Sequence, residues 1–476
     1  MSAPSLSDVR PSRLSTNEYA RNFADATPRL TQAQAVLESE RCLYCAYAPC
    51  VTACPTAIDI PSFIKRISDG NLRGSARAIL EANPLGGMCA RVCPTENLCE
   101  GACVRMTQEG KPVAIGRLQR HAVDALMESA APQLFTRAAS TGKKVAVVGA
   151  GPAGLACAHT LARLGHDVVV YDARPKAGGL NEYGLASYKT PDNFAQREVQ
   201  WLLDIGGIEI RTGWKLETAE QLAALRQDHD ALFLGMGLAG THRLGVPGED
   251  LGNVQDAVDF IATLRQTEDL STLPIGRRVV VIGGGMTAVD AAVQSKLLGA
   301  ESVHMVYRRG PEDMSASEAE QEWAQTNGVT IHHWLAPQEI LGTDGQVSSV
   351  CFARQQSVDG KLLATGELEV IEADMVFKAI GQHLGNCSPV DTNLKLEAGR
   401  GRFHPSRGWF RVLAETGLAL EGGRIATDAD GLTSLSGIWA GGDCRAGGLD
   451  LTVEAVEHGK LSARAMHAHL TNPVLS

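Results

Sequence analysis

No basic run occurs anywhere in the 476 residues, and the formal charge is −10. Such a chain carries no electrostatic footprint for nucleic acid. No segment reaches the ~18 consecutive apolar residues of a membrane span. The opening MSAPSLSDVRPSRLS lacks the apolar core of a secretory signal. Low-complexity segments are absent too. These absences lead us to expect a cytoplasmic protein that engages neither membrane nor nucleic acid. What is present is a globular composition, 44% hydrophobic and 21% charged, sufficient for a sizeable core. The length is that of about two to four domains.

Cysteine is distributed unevenly. Eight of the twelve stand before about residue 140, in a region that reads as helices and loops. Cys42, Cys45, Cys50 and Cys54 form C-x2-C-x4-C-x3-C-P, and Cys89, Cys93, Cys99 and Cys103 form a second set, CARVCPTENLCEGAC. In a reducing compartment, crowded thiols favour metal over disulfide. A ferredoxin-type run commits three close cysteines to one cluster and sends the fourth, before proline, to another. Two sets of four could therefore supply two [4Fe–4S] clusters. Structural zinc is the alternative, since C-x2-C also suits zinc. Zinc sites usually use two such pairs, however, and the second set has none. The remaining Cys157, Cys351, Cys387 and Cys444 are scattered singly and read as ordinary buried or loop residues.

From Lys143 the texture becomes strand, glycine turn, helix, strand, which is the sequence form of a parallel βαβ unit. In the first unit Gly149, Gly151 and Gly154, with Pro152 and Ala153 between them, form G-x-G-x-x-G. The first glycine allows the tight turn, the second lets a pyrophosphate approach the backbone, and the third lets helix and strand pack closely. The helix start then offers free N–H groups to phosphate. Asp172 ends the next strand, where a carboxylate can hold ribose hydroxyls. The bland alternative is a glycine turn that serves packing alone.

A second unit places Gly283, Gly284 and Gly285 after an apolar strand, with Met286, Thr287 and Asp290 in the following helix. Where the first unit has an acid, this one has Tyr307, Arg308 and Arg309. An acid there favours NAD, whereas arginine accommodates the 2′-phosphate of NADP. Two solvated arginines at a strand end are the alternative. The glutamate-rich stretch PEDMSASEAEQEW reads as a solvated helix face without chemistry. No C-x-x-C follows either glycine turn, so a redox disulfide is absent from the nucleotide domains.

The segment TSLSGIWAGGDC resembles the second FAD fingerprint of two-dinucleotide flavoproteins. That resemblance puts Asp443 on the ribityl chain and Thr452, which opens the next helix, near the pyrimidine edge of the flavin. The helix dipole there would favour negative charge on the reduced ring. Gly179, Leu180 and Gly442 join the expected FAD set. No acid–base residue is singled out, because hydride transfer at flavin N5 requires none.

Taken together, both cysteine sets, NPLGGMCARVCPTENLCEGAC, the two glycine turns and AGGDCRAGGLDLTVEAVEHGK resemble the electron-input part of dihydropyrimidine dehydrogenases. The likeness is greatest to the separate flavoprotein subunit of the bacterial NAD-dependent enzymes. The glutamate synthase small subunit is a cousin of the same architecture. The resemblance implies an α/β protein: a helical iron–sulfur domain (1–140), then two Rossmann-like domains of glutathione-reductase type. FAD would occupy 141–270 and 386–476, and NAD(P) 271–385. It also implies that Cys42, Cys45, Cys50 and Cys103 hold one cluster. Cys54, Cys93, Cys99 and Gln119 would hold the other, with Cys89 a spectator. Spacing alone favours Cys89 as the eighth ligand. Bacterial members use NADH despite an arginine pair, so NADH is expected, with NADPH the alternative. The expected partner is a catalytic subunit carrying FMN and further clusters that reduces uracil or thymine, in a hetero-oligomer. The competing readings are a glutamate synthase small subunit and a non-enzymatic nucleotide-binding iron–sulfur scaffold or sensor.

Overall fold

The computed structural model describes residues 8–129, 132–385 and 415–472. Cys387 lies outside the described residues, as does the start of the expected second FAD segment. The chain forms two compact units. The larger comprises Thr27–Glu182, Asn193–Gly240 and Gln382–Ser476; the smaller comprises Met1–Ala26, Tyr183–Asp192 and Thr241–Gly381.

In the larger unit, short helices precede a five-stranded parallel sheet. PSFIKRISDGNLRGSARAILEA (61–82), with its apolar residues at helical spacing, forms two helices, Ile60–Ser68 and Leu72–Ala82. Gly70, at φ +75, makes the break, and Asn71 caps the second helix by accepting the Gly74 N–H at 2.8 Å. The apolar positions Ile60, Phe63, Ile64, Ile67, Ile79 and Leu80 are all buried. The sheet order is Ile438–Ala440, Ala231–Leu234, Lys144–Val148, Asp167–Tyr171 and Ile208–Arg211. Val145 and Val147 face one core, while Ala146 and Val148 face another. A sheet buried on both sides needs such unbroken apolar runs, which explains KVAVV and DVVVY.

The smaller unit holds a second parallel sheet, ordered Val329–His332, Ser302–Val306, Arg278–Ile282, Met375–Lys378 and Val254–Asp256. One face packs on helices Ala257–Gln266 and Met286–Leu297. The other is covered by an antiparallel sheet of Leu335–Thr343, Gln346–Val358 and Lys361–Glu372, which contributes Ile340, Val350 and Phe352.

The unit limits differ from the boundaries expected at 140 and 270. Residues 241–270 join the smaller unit because Val254–Asp256 pairs beside Met375–Lys378. Residues 8–26 join it because Val9–Arg10 pairs antiparallel with Ile275–Gly276 and Tyr19 enters its core. A two-residue strand is too short to show an alternation, so the sequence carries no sign of it. The cysteine-bearing helices, in contrast, share a unit with the first parallel sheet. Buried Glu198 accepts the N–H groups of Gly87 and Met88 at 2.7 and 3.1 Å, which ties helix Gly86–Val92 to helix Phe194–Leu203.

Candidate functional site: two glycine cradles and two cysteine-lined cavities

The turn after strand Lys144–Val148 admits no side chain at two of its glycines. Gly149 has φ +103, and a Cβ there would lie 2.3 Å from the Gly235 carbonyl oxygen. A Cβ on Gly154 would lie 1.9 Å from the Gly149 oxygen. Gly151 differs: a Cβ there would meet nothing nearer than Gly179 Cα at 3.7 Å. Two glycines thus serve the turn and its packing, and the third leaves a gap at a helix start. Gly151 is the N-cap of helix Pro152–Arg163, Pro152 opens it, and no side chain caps it, which leaves its first amides for a ligand. Asp172 follows strand Asp167–Tyr171. Its carboxylate accepts the Ala150 N–H at 2.7 Å and the Arg174 N–H at 2.8 Å, and burial raises its pKa. Leu180, beyond Gly179, is exposed.

The C-terminal segment comes back to this same turn. Gly442, at φ +71, would place a Cβ 3.0 Å from Ala153 Cβ, and Gly459 would place one 2.1 Å from the Ala153 oxygen. Residues almost three hundred positions apart in the chain therefore form one cradle. Burial and nearby Asp450 raise the Asp443 pKa to about 6, with Arg424 opposing. Asp443 receives no hydrogen bond from any described residue, so an acceptor stands ready for a hydroxyl-bearing ligand. Helix Thr452–Thr471 also starts without a side-chain cap, and Thr452 Oγ1 lies 3.0 Å from Asn181 Oδ1. Asn181, buried and tied to Thr452, carries no motif signal and was not singled out above.

In the smaller unit Gly283 has φ +153, and a Cβ would sit 2.2 Å from the Ala379 oxygen. A Cβ on Gly284 would strike the Tyr307 ring at 2.5 Å, and one on Gly285 would stand 3.0 Å from Ser315 Oγ. Gly285 caps helix Met286–Leu297, which Met286 opens with Thr287 next, again without a side-chain cap. Arg308 and Arg309 follow strand Ser302–Val306, both exposed and with no ion pair to any described residue. Behind the turn lies a partly buried network, centred on buried Asp290, that sequence reasoning missed. Lys189 Nζ is 2.7 Å from Asp290 and 3.1 Å from Glu320. Asp290 also accepts the Ala186 N–H at 3.0 Å. The nearby carboxylates, foremost Asp290, raise the Lys189 pKa despite its burial. Glu320 belongs to the stretch read as a solvated face, and its only signal was a place one turn after a serine cap.

The cysteines gather around two cavities. Cys42, Cys45, Cys50 and Cys103 line one, with Leu43, Ile60, Ile64 and Arg105. Cys54, Cys89, Cys93, Cys99 and Gln119 line another, with Asn83, Ile58 and Val453. Each cavity draws thiols from both sequence sets, because Cys54 and Cys103 cross over. Burial and neighbouring thiols, Cys103 and Cys42, push the Cys50 thiol up to about 11. The Cys93 and Cys99 thiols are raised as well: Cys93 by its hydrogen bond with Cys89 and then by burial, Cys99 mainly by burial. Each cavity nonetheless gathers at least three sulfur donors, the donor type that iron–sulfur clusters take, so the donor set fits a metal cluster. Gln119 is buried, and its Nε2 donates to the Gly86 oxygen at 2.7 Å, which leaves Oε1 as its remaining acceptor. Cys89 lines the same cavity, so both candidates for the last ligand are brought there. Cys157 and Cys444 are buried away from both cavities, and Cys351 lies in strand Gln346–Val358.

Two nucleotide cradles and two thiol-lined cavities in one chain define the class: an NAD(P)H-dependent flavin and iron–sulfur oxidoreductase. Comparison with known proteins agrees. Residues 19–131 match the family described as dihydropyrimidine dehydrogenase domain II, 4Fe-4S cluster. Residues 143–459 match the pyridine nucleotide-disulphide oxidoreductases. The NAD-dependent dihydropyrimidine dehydrogenase subunit PreT of Salmonella typhimurium is 35% identical over 76% of this chain and 84% of its own. The glutamate synthase [NADPH] small chain of Escherichia coli is 33% identical over 93% of this chain and 92% of its own. The chain belongs to this family of PreT-type and glutamate synthase small-chain oxidoreductase subunits. Among solved structures, Mycobacterium tuberculosis FprA in complex with NADPH superposes with a TM-score of 0.52 at 18% identity, covering 68% of this chain and 84% of that one; it shares the fold. Among the described residues no helix is long and apolar enough to cross a membrane.

Proposed function

We propose that this chain is the electron-input subunit of an NAD-dependent dihydropyrimidine dehydrogenase, acting in the cytoplasm with a catalytic subunit that carries FMN and further clusters. The observation that carries the reading is the lining of the second cavity. Val453, the second residue of the helix expected to face the flavin, is also a wall of the cavity formed by Cys54, Cys93, Cys99 and Gln119. A helix start whose first residue, Thr452, is expected at the flavin and whose second, Val453, lines the thiol cavity gives electrons a short route.

When bound, FAD and two [4Fe–4S] clusters supply the conversion of one hydride from NADH into single electrons for a partner that reduces uracil or thymine. The chain's own residues bind and orient. Gly149, Gly151, Pro152, Ala153 and Gly154, with Gly179, Leu180 and Gly442, leave room for the FAD pyrophosphate against bare helix amides. Asp172 and Asp443 hold hydroxyls of the ribose and the ribityl chain, and Thr452 lies at the pyrimidine edge. Gly283, Gly284, Gly285, Met286 and Thr287 receive the nicotinamide nucleotide, with NADPH the alternative through Arg308 and Arg309. Cys42, Cys45, Cys50 and Cys103 hold the first cluster. Cys54, Cys93, Cys99 and Gln119 hold the second, and Cys89 is the alternative ligand. FAD falls to the expected segments 141–270 and 386–476, less residues 241–270, which belong with the NAD(P) segment 271–385 to the smaller unit.

A role as a glutamate synthase small subunit is the second reading. It draws on the Escherichia coli relative, which aligns over more of the chain than PreT does. Anaerobic co-purification with the partner, followed by NADH oxidation with uracil or with 2-oxoglutarate plus glutamine, separates the two. Uracil-dependent oxidation is the expected result, and oxidation with the second pair alone overturns it. A scaffold or sensor predicts that NADH leaves the flavin oxidised. For the eighth ligand, Gln119→Ala is expected to change one cluster's spectrum and Cys89→Ala neither; the reverse outcome assigns Cys89.

A further inference from the structure

We propose that the Thr56 hydroxyl donates a hydrogen bond to the sulfur of Cys54 and, through that sulfur, raises the potential of the second cluster. This rests on the ligand reading above, in which Cys54 holds iron. Thr56 is buried, only 4% exposed, and stands two residues after Cys54. The intervening chain turns tightly: Ala57, at φ +50, donates its N–H to the Cys54 oxygen at 2.8 Å. That turn brings Thr56 Oγ1 to 3.4 Å from Cys54 Sγ. Among the described residues this is the hydroxyl's one hydrogen bond.

As a free thiol, Cys54 can be donor or acceptor in this pair. A metal-bound sulfur is a thiolate with no proton, so the hydroxyl must then donate. Burial enforces it, because a hydroxyl removed from water without a partner is costly. A donor aimed at a ligating sulfur withdraws electron density and favours the more negative, reduced state of the cluster. Among the described residues no side-chain hydroxyl bonds to Cys42, Cys45, Cys50, Cys93, Cys99 or Cys103. The effect is therefore confined to one cluster, and Thr56 acts as a positioning residue that offsets the second potential from the first.

The test is an anaerobic redox titration followed by electron paramagnetic resonance on the intact chain. The second cluster is identified as the one whose spectrum changes in Gln119→Cys. Thr56→Val keeps the volume and removes the donor; Thr56→Ser restores it. We expect full iron and sulfide in Thr56→Val. Its second cluster should be reduced up to about tenfold less at a fixed solution potential, about 59 mV for a one-electron couple. The first cluster should be unmoved and Thr56→Ser close to the parent. An unmoved second potential in iron-loaded Thr56→Val overturns the proposal. If Thr56→Val loses iron, Thr56→Ala decides in its place: a lowered second potential supports the bond, and an unmoved one overturns it. Parent protein without inorganic sulfide would instead sink the ligand reading itself.

Discussion

Replacing Gly459 by alanine probes the flavin cradle at its tightest point. In helix Thr452–Thr471 this position faces the backbone of helix Pro152–Arg163. An added Cβ would lie 2.1 Å from the Ala153 oxygen, 2.9 Å from the Cys157 nitrogen and 3.0 Å from the Ala153 carbonyl carbon. All three are backbone atoms, so no side chain can swing away. Restoring an ordinary contact of 3.4 Å to that oxygen requires about 1.3 Å of separation (3.4 minus 2.1) between the helices. Alanine gains about 1 kcal/mol over glycine in helix propensity. Overpacking costs about 1–3 kcal/mol in typical cores, and a rigid backbone clash belongs at the upper end. The net is a loss of about 1–2 kcal/mol, or about 2–3 degrees in Tm for a unit of this size. Separation of the helices also moves Thr452 and Gly442 away from the Gly151 turn. Gly459→Ala should therefore release FAD on gel filtration while iron stays bound in the first cavity. The measurements are the flavin-to-protein ratio and the thermal midpoint. An alanine variant that keeps its flavin and melts at or above the parent temperature would refute the close approach and the cradle built on it.

Further expectations address other parts of the chain. Asp443 has its pKa raised from 3.8 to about 6 before flavin binds. Its contribution to apoprotein stability is therefore full below about pH 4 and lost as pH rises through 6, to the extent of about 3 kcal/mol. Denaturant melts of apoprotein should show that slope, and Asp443→Asn should flatten it. Removing Arg308 and Arg309 together should raise the KM for NADPH about tenfold and leave that for NADH within about twofold, because only the former has a 2′-phosphate. Equal effects on both would exclude a phosphate contact. Lys189→Met leaves buried Asp290 and partly buried Glu320 without their cation and should cost about 3 kcal/mol, the lower end for a broken buried pair. Lys189→Arg should recover most of it, and a methionine variant as stable as the parent would show that the network contributes nothing.

The chemistry of the chain was legible wherever it depends on neighbours in sequence. A glycine that must adopt φ +103, as Gly149 does, or that must let a helix touch a strand, as Gly154 does, leaves its mark within a few residues. The cysteine spacings and the apolar runs of both parallel sheets are local in the same sense, so the βαβ units, the cofactor class and the helical iron–sulfur segment could all be read from residue order. The ferredoxin-type spacing already sent Cys54, before its proline, to the other cluster; family resemblance, not spacing, supplied Gln119 and the return of Cys103.

Tertiary structure alone decided what depends on distant pairing. Val9–Arg10 pairs with a strand some 260 residues later, and Val254–Asp256 joins a sheet whose neighbouring strand ends at Lys378. Lys189, Asp290 and Glu320 come from three segments, each unremarkable by itself. Thr56 reads as one more polar residue until the turn at Ala57 buries it against a sulfur. Local backbone preference is written in short stretches of sequence. Which buried groups satisfy one another is written only in how the whole chain packs.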